Sequence, residues 1–221
     1  MTQGSAHEGA GTAARVGYGL AQYGAGWDSA QAVLVLVHGR DREPEEMFRL
    51  LGDSLAARLR VLAPYTESKT WYPGRYDAPL AENAEGVARG MDEIDAAFRL
   101  AAEHGFGPER VVLAGFSQGG CLVTEYLIDG RTRPAAAAIF TGTPLAMTGR
   151  GLPERDLAEL PVVVSGGAAD AWLPLADLLA TEAVLTRLGA SVHLEMFPDA
   201  DHVVRPAEIN RLRELVDQLT P

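Results

Sequence analysis

Six consecutive apolar residues, Ala32 to Val37 (AVLVLV), followed at once by His38 and Gly39, constrain the fold more than any other stretch. A run this short, rich in β-branched residues and closed by glycine, suits a strand. Successive side chains on a strand point to opposite faces, so an unbroken apolar run needs cover on both sides, as in the centre of a parallel sheet. Val111 to Ala114, Ala136 to about Thr141 and Pro161 to Ser165 are runs of the same kind, Val61 to Ala63 is a shorter one before Pro64, and Ser191 to Phe197 alternates. Between them apolar residues recur at helical spacing in Pro44 to Leu59 (Met47, Leu50, Leu51, Leu55), Glu82 to Gly105, Gln118 to Asp129, Leu175 to Leu188 and Ala207 to Leu219. This alternation predicts an α/β fold: a mostly parallel central sheet with helices on both faces.

The chain has 221 residues, 47% hydrophobic and 22% charged, enough for one sizeable core. Residues 1–14, rich in Gly, Ala and small polar residues and without an apolar central run, are expected to be a flexible tail rather than a secretory leader, with residues 15–221 forming a single domain. A net charge of -11 argues against a nucleic-acid partner, because phosphate binding needs a basic face. No apolar stretch approaches the ~20 residues of a membrane span, so stable membrane insertion is not expected. Cys121 is the single cysteine, which rules out an intramolecular disulfide and makes a cytoplasmic location the expectation. Its place one helical turn past Ser117 suits a small buried hydrophobe.

In open parallel sheets chemistry gathers beyond the carboxyl ends of the strands. There the segment GFSQG, Gly115 to Gly119, fits the GxSxG pattern of a nucleophile on a sharp strand-to-helix turn. Small residues two before and two after Ser117 leave room for neighbouring chain, and the Gln118 N–H is aimed at the same place as the Ser117 hydroxyl. A serine needs a base, and the base an orienting acid. His202 follows the last strand, whereas His7 lies in the tail, His104 ends a helix and His193 lies within a strand. Asp170, Asp199 and Asp201 compete as the acid. Asp170 follows the strand ending at Ser165 and fits the order serine, acid, histidine, while Asp199 and Asp201 share a loop with His202 and are expected to shape it. His38 is expected to tie down its own loop. The Arg40 N–H is the expected second donor for a developing oxyanion, beside that of Gln118, with the Arg40 side chain in solvent.

These segments carry a family resemblance. HGR, GFSQGG, GGAADAWLP and DADH fall in the order and spacing of the phospholipase/carboxylesterase group of α/β-hydrolases, which includes the acyl-protein thioesterases, and WYP followed by a long helix resembles its bacterial members. The likeness spans Ala30 to Leu219. It implies an α/β-hydrolase fold without a large cap, with Ser117, Asp170 and His202 as triad and Arg40 and Gln118 as oxyanion donors. The chain departs from the group in Gly166-Gly167, where a histidine-glycine pair is frequent, and in Ala171.

The loop from Tyr65 to Leu80 begins at a strand carboxyl end and can overhang the cleft. Trp71, Tyr72 and Tyr76 then either line a substrate pocket or pack the loop onto the body. Trp172 and, more weakly, Met147 and Leu145 are further wall candidates. No motif for a metal or an organic cofactor occurs, and none is required. The expected activity is hydrolysis of a small-molecule ester through an acyl-enzyme. A triad-dependent acyltransferase or small-molecule tailoring enzyme is the alternative; a noncatalytic binding protein on this scaffold would be expected to lose triad members. A homodimer is compatible with this reading.

Overall fold

Seven strands occur among the residues that the computed structural model describes, 17–147 and 150–219. They are β1 (Tyr18–Gly24), β2 (Ala32–Val37), β3 (Leu59–Thr66), β4 (Val111–Phe116), β5 (Ala136–Phe140), β6 (Pro161–Gly167) and β7 (Ser191–Phe197). They form one sheet in the order β1-β3-β2-β4-β5-β6-β7, parallel throughout except for β1, which runs antiparallel to β3. The helices are α1 (Pro44–Arg49), α2 (Gly52–Ala56), α3 (Leu80–Glu103), α4 (Gln118–Asp129), α5 (Leu175–Arg187) and α6 (Pro206–Leu219).

The apolar strands divide their side chains between two cores, as the pleat requires. Val33, Val35 and Val37 of β2 point to the side of the sheet covered by α3, α4 and α5, into a core that also holds Ile94, Leu122 and Leu178. Ala32, Leu34 and Leu36 face α1, α2 and α6, where Met47, Leu55, Leu212 and Val216 pack. Both faces of the sheet are therefore covered, as the unbroken runs predict. Each fully buried Val or Leu contributes about 1.5–3 kcal/mol.

Three elements differ from expectation. The single helix expected over Pro44 to Leu59 is two short ones, because the chain breaks at Leu50 and Leu51 and Gly52 takes a φ of 68°. Met47, Leu51 and Leu55 still reach the core, but Leu50 is exposed. Strand β3 is longer than Val61 to Ala63 and runs through Pro64. Its pairing with β2 ends at Leu62, so the ladder on that side does not call on the missing Pro64 N–H. Strand β1 is announced by no periodic apolar pattern; it covers the β3 edge with a register from Tyr18 opposite Thr66 to Gly24 opposite Arg60. The tail expected over residues 1–14 lies outside the described residues.

Between β5 and β6 the described residues form no helix, so the sheet carries no cap domain at this crossing. No helix among the described residues is long and apolar enough to cross a membrane.

Candidate active site

Ser117 occupies the corner between β4 and α4 with φ 53° and ψ -118°, a strained conformation for a residue with a side chain. Its neighbours hold it there. The Ser117 N–H donates to the Phe140 carbonyl of the next strand at 2.9 Å, and its carbonyl accepts from the Cys121 N–H at 2.9 Å. A Cβ on Gly115 would lie 2.4 Å from the Gly119 carbonyl oxygen, and one on Gly119 would lie 2.4 Å from that of Val37. Contacts that short require glycine at both positions, which is the physical content of the GxSxG spacing.

His202 lies between β7 and α6, with Nε2 2.8 Å from Ser117 Oγ and Nδ1 2.7 Å from Asp170 Oδ2. The Asp170 side chain is 0% exposed. Its Oδ1 accepts the Trp172 N–H at 2.7 Å and the Leu173 N–H at 3.4 Å. An ionised carboxylate only accepts, so His202 Nδ1 carries the proton and Nε2 turns a lone pair to the Ser117 hydroxyl. The rings of Phe116 and Trp172 flank the imidazole at 5.1 Å and 6.4 Å.

Asp199 and Asp201 shape the loop that carries His202. Asp199 pairs with the Arg205 guanidinium, and the Asp201 carbonyl accepts from Arg205 Nη2 at 2.7 Å. Arg205 is in turn anchored by buried Glu208, whose Oε2 accepts the Arg205 N–H at 2.5 Å and whose Oε1 accepts the Ser165 hydroxyl of β6 at 2.6 Å. Burial raises the Glu208 carboxyl above its usual range. The sequence analysis does not single out this anchor, although a glutamate three residues after Arg205, with Pro206 between at the first helical position, is the glutamate half of a capping pattern, in which the carboxylate reaches back to the preceding backbone N–H.

On the other side of the cleft, His38 Nδ1 donates to the Gly39 carbonyl at 2.7 Å. A trans peptide sets C=O and N–H in opposite directions, so this bond turns the Arg40 N–H away from the ring. Gln118 is the first residue of α4, and its N–H has no intrahelical acceptor. Burial lowers the His38 pKa, outweighing the bond to Gly39, so folding favours the neutral ring. The unfolded chain then binds more protons as pH falls below about 6.5, and stability should decline as pH drops through the folded value. Denaturant melts between pH 5 and 8 should show a shallower decline for His38→Gln than for the wild type; parallel curves would exclude His38 as the source.

An open cleft of about 280 Å³ joins these groups. Ser117, Gln118, His202, Arg40, Tyr72, Tyr76 and Trp172 line it, with Trp172 66% exposed at the rim. Asp41, Arg75, Thr141 and Leu173, which sequence reasoning did not single out, line it too. Buried Cys121 reaches its floor, and burial pushes that thiol up to about 11, which keeps it protonated and inert. Trp71 is not part of the lining: it is 1% exposed, and its indole N–H donates to the His38 carbonyl at 2.8 Å. It packs the loop to the body. Met147 packs against the core on the α3 face and Leu145 is buried, so neither lines the cleft. The Arg40 side chain is not simply solvated, because Nη2 donates to the carbonyls of Tyr72, Pro73 and Gly74 at 3.0, 3.2 and 2.8 Å. Among the described residues no group of three or more His, Cys, Asp or Glu side chains is arranged to hold a metal ion.

Sheet order, helix placement and the strained corner define an α/β-hydrolase. The sequence matches the family described as Phospholipase/Carboxylesterase over residues 55–220, and the chain belongs to that family, whose members are serine hydrolases acting on esters. The matched range begins after the His38–Arg40 turn. Among solved structures, a phospholipase/carboxylesterase from Dyadobacter fermentans is similar with 23% identity and a TM-score of 0.79, over 89% of this chain and 95% of that one. A carboxylesterase from Mesorhizobium loti has 21% identity and a TM-score of 0.71, covering 85% and 89%, and the Bacillus cereus carboxylesterase has 18% and 0.71, covering 91% and 93%. At these identities the likeness is one of fold. No curated protein matches the sequence.

Proposed function

We propose that the protein is a carboxylesterase that hydrolyses small to medium acyl or aryl esters through Ser117, His202 and Asp170. The observation that carries this reading is the unbroken hydrogen-bond chain from Ser117 Oγ through His202 to buried Asp170, at 2.8 and 2.7 Å. Ser117 attacks the ester carbonyl as His202 Nε2 takes its proton, and Asp170 stabilises the imidazolium that forms. The oxyanion is met by the N–H groups of Gln118 and Arg40. His202 then protonates the departing alcohol or thiol, and the same imidazole activates the water that releases the acid.

The size of the cleft supports small substrates, since its volume of about 280 Å³ falls just under the roughly 300–1,000 Å³ of sites that enclose drug-sized ligands. With no cap domain over the cleft among the described residues, an acyl chain gains about 0.8 kcal/mol for each methylene it buries and little once it emerges into water. For p-nitrophenyl esters of graded length, kcat/KM should climb about fourfold per carbon over the first few carbons and then level off. No jump should occur at the substrate's micellar threshold. A best rate on long-chain triglycerides, with activation at an interface, would overturn this assignment. Including one thioester in the series distinguishes sulfur from oxygen as the leaving atom.

A further inference from the structure

We propose that the side chains of Arg40 and Gln118 are positioning groups that lock the two oxyanion donors to the cleft wall. This inference rests on the reading of their backbone N–H groups as those donors. The wall is the irregular segment 71–76, which supplies Tyr72, Gly74, Arg75 and Tyr76 to the cleft lining. Outside a helix or sheet its backbone groups need other partners, and the two donor residues provide them. Arg40 Nη2 gathers the carbonyls of Tyr72, Pro73 and Gly74 within 3.2 Å. The buried Gln118 carboxamide is used at both ends: Oε1 accepts the Trp71 N–H at 2.9 Å, and Nε2 donates to the Tyr72 carbonyl at 2.7 Å. Trp71 adds its indole bond to the His38 carbonyl, beside the peptide that orients the Arg40 N–H.

The far side of the wall is fixed independently. Buried Asn83 of α3 accepts the Gly74 N–H and donates to the Arg75 carbonyl, both at 2.8 Å, and the Tyr76 hydroxyl donates to Asp177 of α5 at 2.8 Å. The wall is thus a rigid frame, and each donor residue is held to it by its own side chain. Oxyanion stabilisation depends on donors being in place before charge develops. Loosening the guanidinium therefore misplaces the Arg40 N–H without deleting it.

The test compares Arg40→Met, Arg40→Lys, Gln118→Met and the double variant Arg40→Met/Gln118→Met on a short p-nitrophenyl ester, with Ser117→Ala run in parallel. A misplacement of about 1 Å can cost on the order of 100-fold, so Arg40→Met should lower kcat by about 10- to 100-fold with KM nearly unchanged. Fluorophosphonate labelling of Ser117 should slow by the same factor, and Arg40→Lys should recover part of both rates. The double variant should fall short of the product of the single losses, because both side chains hold one wall. If KM rises while kcat stays constant, Arg40 is a substrate-binding group and the proposal fails. It fails equally if kcat is untouched. Should Arg40→Met not fold, Arg40→Lys and Gln118→Met carry the same comparison. Activity surviving in Ser117→Ala would instead remove the esterase mechanism on which this inference rests.

Discussion

Ser117→Ala is expected to lower kcat for a p-nitrophenyl ester by about 10⁶-fold, the scale on which serine hydrolases lose rate when the nucleophile is deleted. The loss is large because the remaining groups have nothing to act on: His202 Nε2, 2.8 Å from the Ser117 hydroxyl, would face a methyl group. The fold should survive. Alanine meets the same φ of 53° that serine already bears, and the bonds that hold the corner are made by backbone groups of Ser117, Phe140 and Cys121. The melting temperature should therefore stay close to that of the wild type, and labelling by a fluorophosphonate should vanish. Labelling that persisted in the variant would place the nucleophile elsewhere.

Asp170→Asn should lower kcat by about 10⁴-fold, with a change in tautomer as the cause. Two backbone N–H groups, of Trp172 and Leu173, point at Oδ1 and would keep the amide oxygen on that side. The new NH₂ would then face His202 Nδ1 and donate to it. The imidazole proton would be driven to Nε2, which would donate to Ser117 Oγ instead of accepting its proton. Asp201→Asn should leave kcat near the wild-type value, because Asp201 reaches Arg205 through its carbonyl, which the substitution keeps. Steady-state kinetics of the two variants decides between the carboxylates; a larger loss in Asp201→Asn would reassign the acid.

The central strands were legible because β2 and β4 are buried on both faces, which leaves an unbroken apolar run as the signature. Helix α4 was legible from Gln118 to Asp129 through its apolar spacing after the Ser117 corner, and in the structure Gly130, with φ 89°, ends it in a left-handed turn. Strand β1 was not, because Tyr18 to Gly24 is only half-buried at an edge and mixes glycine with tyrosine. The break at Gly52 hid inside a four-residue spacing, since Met47, Leu51 and Leu55 join one core on either side of it, while Leu50, counted with them in the sequence, is exposed. In the site, chain order brought Ser117, Asp170 and His202 forward, and the structure sets them in one hydrogen-bonded line. The wall was harder. An aromatic in a loop can point to the body or to the cleft with the same local sequence, and Trp71 takes the first course while Tyr72 and Tyr76 line the cleft. The bonds from Arg40 to residues 72–74 and from Glu208 to Ser165 join segments distant in the chain, and no local pattern encodes them.

The central claim is that an acyl group passes through Ser117. Acid quenching during turnover of a slowly deacylating p-nitrophenyl ester, followed by intact-mass and peptide mass spectrometry, tests it directly. The account predicts one acyl adduct per chain, located on Ser117 within GFSQGG and absent from Ser117→Ala. Turnover with no adduct at steady state or in the pre-steady-state burst, or an adduct on another residue, would contradict it.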